Sequence, residues 1–366
     1  MYKGSFLLSF YAETPVHMGS GGSVSYVDLP VQRERHTSFP VLWGSGIKGV
    51  LRNFAHRKWS EEKVNTIFGP EKGEEEYSSC ISITDAKILL YPVRSVKGVF
   101  AWITCPFVLK RFLEDLKAIT NLNSDKKTNN TQNQNDLNSD KKNNDKQNQN
   151  NLVNDLEELL KNLNELEDDQ IIINNNSKLV IDNQKIDNQK IDNQKIENQK
   201  YVALEEFVFN VVEEINEKQK ILESLKQILP DNNLLKNDLE KHLAIVSDNV
   251  FKDFVNYAVE IRTRIRIDQA KGTVEKGALF TEELIPSESI FYSLVFISEP
   301  KKNNSKSKEN NSESKENNSE KKENNIDFEK VKELLTGNLF NEDPLIQFGG
   351  DETTGKGFFR VKLYTP

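Results

Sequence analysis

The sequence predicts an α+β fold of the ferredoxin-like, split βαβ kind, carrying large low-complexity inserts. Three observations predict it. With two polar tracts set aside, apolar strand-length segments and helix-period segments alternate as strand, helix, strand, strand, helix, strand, with more of the same behind. The tracts are almost pure Asn, Asp, Lys, Gln, Glu and Ser, a composition that cannot bury enough apolar surface to offset chain entropy. Two glycine-rich turns, GSGIKG at 44–49 and GGDETTGKG at 349–357, lie near opposite ends of the chain, and a ferredoxin-like core makes its first and last segments neighbours.

Residues 5–12 (SFLLSFYA), bounded by Gly4 and Pro15, read as a buried first strand. Residues 45–58 place Ile47, Val50, Leu51 and Phe54 at helical spacing behind Ser45. Strands are predicted at 81–92 and 99–104, joined by a hairpin-like connection at Arg94, Lys97 and Gly98. Pro106 suits the first turn of a helix running to about Leu116. A polar tract follows at 121–150, then a short amphipathic helix at 151–167 and a five-residue repeat, IDNQK, up to Lys200. Five residues fit neither the helical nor the strand period, so the repeat reads as a low-complexity expansion. Structure is expected to resume with a strand at 202–211, a charged helical stretch from Val212 to about Leu229 stopped by Pro230, and a helix at 247–258 capped by Ser247 or Asp248. Ile261, Ile265 and Ile267 interleave with Arg262, Arg264 and Arg266 as a basic strand. A strand at 288–297, a second tract at 301–325, a helix at 327–335 ending at Gly337 and a last strand at 357–364 complete the chain.

The formal net charge is -8, yet residues 121–200 alone hold 11 Lys against 15 Asp plus Glu. Half of the acidity therefore sits in one biased segment, and an anionic partner is not excluded, because binding follows the local patch. Cys80 and Cys105 have neither metal-ligand spacing nor a disulfide framework, which fits a reduced compartment. Neither a signal sequence nor a membrane-length apolar run is found. The expectation is a cytoplasmic protein with no membrane partner.

The stretch from Glu13 to Arg52 organises the rest. Two glycine turns, at 19–22 and 44–49, bracket a dense polar set, Asp28, Gln32, Arg33, Glu34, Arg35 and His36. Glycines allow backbone N–H groups to approach an anion closely, and nearby cations complete a phosphate-friendly concavity. A carboxylate among them could hold a metal or a reacting group. GSGIKG matches G-x-G-x-x-G literally, but the element order argues against a dinucleotide fold, and Gly49 stands where a P-loop needs Ser or Thr. The four histidines show no metal spacing, and no nucleophile elbow is present. At the other end, Thr353, Thr354 and Lys356 supply donors beside Gly349, Gly350, Gly355 and Gly357.

ETPVHMGSGGSVSYVDLPVQRERHTSFPVLWGSGIKGVLR, SITDAKILLYPVRS, RIRIDQAKGTVEKGALFTEE and IQFGGDETTGKGFFRV, in this order, resemble the RAMP superfamily. More narrowly, they resemble the backbone subunit of the type III-B (Cmr-type) CRISPR effector complex. The resemblance covers Ser5 to Thr120, Tyr201 to Glu299 and Ile326 to Leu363, and leaves out the Asn-rich tracts. It implies an RRM-like palm with a protruding thumb β-hairpin. On that frame, 1–120 is the first part of the palm, 121–200 an insertion expected to be disordered, 201–300 the thumb and palm continuation, 301–325 a second insertion, and 326–366 the C-terminal palm. The resemblance further implies copies stacked as a filament along a guide crRNA, other Cmr-complex subunits as partners, and regular cleavage of paired target RNA assisted by a divalent metal ion, Mg2+ or Mn2+.

Residue by residue, the resemblance makes Asp28 of VDLP the catalytic group and the metal ligand. His17 and Asp85 line the same region, and a thumb glutamate, Glu275 or Glu282, assists. Gly44, Ser45, Gly46, Lys48 and Arg52 hold guide phosphates, with Arg33, Arg35, Gly350, Thr353, Thr354 and Lys356 as further RNA contacts. The chemistry agrees with the residues: RNA carries its own nucleophile, the 2′-hydroxyl, and a cleaving subunit has to align it and stabilise charge at phosphorus. Two other roles remain open within the superfamily, a non-cutting guide scaffold and a stand-alone guide-processing nuclease.

Overall fold

The computed structural model describes residues 2–23, 26–71, 78–130, 152–161, 163, 166–182, 200–214, 222, 225–300 and 326–365. The strands are β1 (Tyr2–Ala12), β2 (Val41–Leu42), β3 (Ile81–Ile83), β4 (Ala86–Arg94), β5 (Phe100–Thr104), β6 (Gln170–Ile173), β7 (Ile181–Asp182), β8 (Lys200–Leu204), β9 (Phe207–Glu214), β10 (Leu243–Val246), β11 (Glu260–Asp268), β12 (Thr273–Leu284), β13 (Ile290–Ser298), β14 (Leu345–Gln347) and β15 (Phe358–Tyr364). The helices are α1 (Gly44–His56), α2 (Glu61–Phe68), α3 (Pro106–Asn130), α4 (residues 152–161), α5 (Asn233–His242), α6 (Asp248–Tyr257) and α7 (Phe328–Leu334).

The palm is the run β15-β1-β13-β4 in the large sheet, and every neighbour in it is antiparallel. Numbered along the chain, these four strands have the spatial order 4-1-3-2, the ferredoxin-like arrangement the element pattern predicts. α1 and α2 connect the first palm strand to the second, and α7 lies between the third and fourth. β1 is buried from Gly4 onward because β13 and β15 flank it and α3 packs on it. Its two serines are satisfied internally: Ser5 donates to Ile119 O at 3.1 Å and Ser9 to Ile228 O at 2.6 Å.

One expectation about strand order is corrected. The third palm strand is β13, not residues 99–104. β5 does form the predicted hairpin with β4, through a turn in which Gly98 takes positive φ. It pairs with Tyr91–Arg94, however, whereas Lys87–Leu90 pairs with β13. β4 thus belongs to two half-sheets, and β5 leads away into the second, β5-β10-β6-β9-β8-β7. That half takes in residues read from composition as insertion. Ile171, Ile172 and Ile173 of β6 are buried between β10 and β9, and α4 buries Leu152, Leu156 and Leu159, a helical stripe inside a polar stretch. The strand expected at 202–211 is a hairpin, β8 and β9, turning at Glu205, which has φ 49°. β9 continues to Glu214 where a helix was expected, and α3 outruns Leu116. The tracts at 131–151 and 301–325 and the repeat at 183–199 lie outside the described residues.

β11 and β12 form a separate two-stranded sheet, the thumb hairpin. Ile261, Ile265, Ile267, Val274 and Leu279 are all exposed on it. Its base meets the palm where β1 ends and β13 begins: Val16 bridges Ile285, and Glu288 N donates to Ala12 O at 2.7 Å.

Candidate functional site

Three segments converge at this end of the palm: the loop leaving β1, the thumb base, and the glycine loop entering β15. Antiparallel pairing of β1 with β15 forces the first and third together, because the end of one strand faces the start of the other. Gly357 N donates to Pro15 O at 2.9 Å, and Gly350 N to His17 O at 2.8 Å. Gly349 has φ +88°, and a Cβ there would sit 2.5 Å from His17 O, so only glycine fits.

Asp28 is exposed but fixed. Its Oδ2 accepts from Thr281 N at 2.7 Å and from Thr281 Oγ1 at 2.9 Å, while Asp28 N donates to Thr281 Oγ1 at 3.0 Å. Leu29 N donates to Thr281 O and Glu283 N to Leu29 O, both at 3.0 Å, stitching the VDLP segment along β12. The Thr281 donors hold the Asp28 carboxyl below its ordinary range, so it is an anion across the neutral region. The loop therefore does not swing freely over the sheet; the thumb strand carries it.

Adjacent positions of a strand face opposite ways, and β12 uses this with two glutamates. Glu283 forms a 2.5 Å ion pair with Arg33 Nη2 and accepts from Val31 N at 2.9 Å. Glu282, 1% exposed, lies 3.6 Å from His17 Nδ1 and 2.7 Å from Arg264 Nε, the latter a charge contact rather than a directed hydrogen bond. Arg264 in turn donates bidentately to Asp351, at 2.9 and 2.6 Å. Burial first, then the Asp351 carboxylate, pushes Glu282 up to about 7. Burial acts upward on Asp351 too, but its bond with Glu282 and the Arg264 charge outweigh it and leave Asp351 lowered. His17 Nδ1 lies 2.9 Å from Glu283 O. A carbonyl only accepts, so Nδ1 carries the proton and Nε2 of the neutral ring is the basic atom.

The second glycine turn opens α1. Gly44 N donates to Asp85 Oδ1 at 2.7 Å, so Asp85 caps this helix from the β3–β4 junction, and a Cβ at Gly44 would strike Ile83 O at 2.6 Å. Ser45 and Gly46 are exposed in the first turn, and Met18 Cε lies 3.5 Å from where a Gly46 Cβ would be, which sets the helix start beside the His17 loop. Lys48 is half-buried, and burial lowers its pKa. Arg35, Thr353 and Thr354 are exposed, and Lys356 is partly so. Gln32, buried, ties the two turns together: it donates to Gly19 O at 3.1 Å and accepts from Trp43 N at 2.9 Å.

Three expected site residues stand elsewhere. Glu275 lies toward the thumb tip, in a 2.6 Å ion pair with Arg266, and the glutamate beside His17 is Glu282. Arg33 is spent inside the protein on Glu283, Ser38 O and Val255 O. Arg52 binds Asn65 Oδ1 at 2.7 Å and Gly69 O, joining α1 to the end of α2. Thr281, Glu283, Arg264 and Asp351 were not singled out for the site. Their signal was weak: a Glu-Glu pair on a strand opposite an Arg-x-Arg-x-Arg run, which places Arg264 diagonal to Glu282 in the ladder. Among the described residues no group of three or more His, Cys, Asp or Glu side chains converges as a metal cage.

This architecture, an antiparallel palm with an upright hairpin and glycine loops at its base, defines the class. The RAMP superfamily profile matches residues 9–235 and 228–360, and the chain belongs to that superfamily. Within it, the chain is 34% identical over 367 residues to the CRISPR system Cmr endoribonuclease Cmr4 of Pyrococcus furiosus, covering 98% of this chain and 95% of that protein. It is 25% identical over 300 residues to the CMR subunit Cmr4 of Saccharolobus solfataricus, covering 79% and 83%. Its fold matches the crystal structure of oligomeric Cmr4 from Pyrococcus furiosus with TM-score 0.59 and 29% identity over 99% of this chain and 98% of that one. A chain of a type III-B Cmr-beta complex bound to cognate target RNA shares the fold, with TM-score 0.64 at 21% identity over 99% and 98%.

Proposed function

We propose that this chain is the repeating backbone subunit of a type III-B CRISPR ribonucleoprotein, which lines a guide crRNA and cuts the paired target RNA at regular intervals. One observation carries the cutting: an ionised, exposed carboxylate, Asp28, pinned to Thr281 of the thumb strand, one residue before the Glu282 that contacts His17. The endoribonuclease and oligomeric names of the Pyrococcus furiosus relatives support the same reading, and with it copies of itself and other Cmr subunits as partners.

In this mechanism the thumb strand fixes Asp28 before RNA arrives, which avoids reorganisation during the reaction. His17 keeps Nδ1–H on Glu283 O and turns Nε2 to a 2′-hydroxyl proton; Gly19 beside that nitrogen has no side chain to cover it. Ser45, Gly46 and Lys48 at the start of α1, with Thr353, Thr354 and Lys356, hold backbone phosphates through N–H groups and charge. A single exposed carboxylate would suit an open divalent-ion position rather than a closed protein cage, and Asp28 would be the residue that holds the ion. Such an ion would offset charge developing at phosphorus.

The test is cleavage of a labelled target RNA by complexes reconstituted with Asp28→Asn. The rate is expected to fall about a hundredfold or more, with target binding intact. Equal cutting would remove Asp28 from the mechanism. It would favour a second reading, a guide scaffold in which the bonds to Thr281 make Asp28 a structural tie.

A further inference from the structure

Cleavage and guide binding are placed on different segments, yet one ionic chain joins them. Asp28 rides on Thr281 of β12. The next residue, Glu282, contacts His17 on one side and Arg264 of β11 on the other. Arg264 is gripped by Asp351, which opens the segment containing Thr353, Thr354 and Lys356 and whose backbone lies in the left-handed region at φ 60°. In the same loop, Gly350 N holds His17 O.

Of the three alternating arginines of β11, Arg262 pairs with Glu260 and Arg266 with Glu275, both within the hairpin. Among the described residues, Arg264 alone of the three pairs outside the hairpin, with Asp351. A two-stranded hairpin standing off a sheet is marginal by itself, so its contacts at the base set its angle. A bidentate guanidinium–carboxylate pair fixes a plane as well as a distance, which a single bond does not.

We infer that Arg264 and Asp351 are positioning residues: their clasp transmits the seating of the C-terminal glycine loop on the guide to the thumb strand, and so sets Asp28 and His17 for cleavage. The inference rests on the proposed function for its consequence, but not for the mechanical link. When phosphate draws in the loop, Asp351 and Gly350 move together. The first pulls on Arg264 and Glu282, the second on the His17 backbone. Both reacting groups are thereby adjusted from one loop, through Arg264 and the His17 backbone.

The test uses Asp351→Asn, Arg264→Gln, Arg264→Lys and the Asp351→Asn/Arg264→Gln double variant, each as full chain and in reconstituted complex with guide. Asn is tolerated at positive φ, so Asp351→Asn removes charge without backbone strain. Single-turnover cleavage at saturating target should fall about tenfold in each of Asp351→Asn and Arg264→Gln, with guide and target affinities within about twofold of wild type. The double variant should be no slower than the slower single, because both break one link. Arg264→Lys keeps the charge without the fork and should recover only part of the rate. Independently of any cutting, hydrogen exchange at the Leu29 and Glu283 amides should speed up in the free chain carrying Asp351→Asn.

Losses that multiply in the double variant, or a rate loss that follows guide affinity, would overturn the clasp as a positioning device. If the wild-type complex fails to cut, or Asp28→Asn cuts normally, the functional reading falls instead. The link is then decided by exchange: unchanged protection refutes it, and faster exchange upholds it.

Discussion

β1 of the palm and β11 of the thumb are both strands rich in bulky apolar side chains. β1 buries every residue from Gly4 on, whereas β11 leaves Ile261, Ile265 and Ile267 about half exposed. The palm strand is closed on both edges by β13 and β15 and stacks Phe10 edge-on against Phe348 and Phe359, at 5.6 and 6.0 Å between ring centres. The thumb has one neighbour strand and no sheet behind it. Leu284 and Ile285 are buried at its foot, and the rest of its attachment is polar: Glu282 with Arg264, which also pairs with Asp351, Glu283 with Arg33, Thr281 with Asp28. Apolar burial is non-directional and makes a core; ion pairs and hydrogen bonds are directional and set an angle. On the proposed reading, an upright element that holds Asp28 and His17 in place needs the second kind of attachment.

The sharpest way to break this comparison is to truncate one apolar residue in each region. Phe10→Ala should cost the isolated chain about 3–5 kcal/mol in urea unfolding, through lost burial and the cavity left behind. Ile265→Ala on the thumb should cost less than about 0.5 kcal/mol, since the side chain already meets water. Equal costs would mean that the thumb has a core of its own.

A smaller effect sharpens the polar half of the comparison. Glu282 rises from about 4.5 in the unfolded chain to about 7 in the fold. The folded state therefore binds this proton more tightly. Stability from this group is fully present below about pH 4.5 and is lost as pH climbs through 7, by an upper limit of about 3.5 kcal/mol at ~1.4 kcal/mol per unit. Between pH 5 and 8 the wild type should lose about 1–3 kcal/mol more than Glu282→Gln does in parallel denaturation curves. Matching slopes would show that Glu282 is charged throughout.

The smallest expected effect separates two cations one turn apart on α1. Lys48→Ala should reduce the salt slope of guide binding by about one and leave unfolding unchanged. Arg52→Ala should leave the slope alone and cost about 1–2 kcal/mol of stability, because Gly69 O and Asn65 lose their donor. The reverse pattern would return Arg52 to the RNA face.

Much of the candidate site was legible because its loops carry their chemistry locally. The glycines at 44 and 349 announce backbone constraints, and Asp28 before Leu29–Pro30 announces an extended loop. The partners of those residues were not legible. Nothing near Arg33 or Arg52 in sequence shows that the first is matched by Glu283 and the second by Gly69 and Asn65. A cation in a polar loop looks the same whether water, phosphate or a distant carboxylate will meet it. Glu275 and Glu282 lie at different distances from the base of β12, with a register shift between them, and a strand pattern has neither an origin nor a mark for that shift.

The sequence alone determined most strands and helices outside the insertions and that glycine loops sit near both ends, and its motifs carry the resemblance to the RAMP superfamily. The elements and the glycine loops are written in windows of a few residues, by the two- and 3.6-residue periods and by residues with special backbone freedom. Only the tertiary structure decided that β13 rather than β5 is the third palm strand, that β6 belongs to a sheet, and that Glu282 joins His17, Arg264 and Asp351. Those outcomes depend on which distant segments close against each other. Many strands of similar pattern compete for each edge, and the winner is set by the burial and pairing of the whole sheet rather than by any one segment.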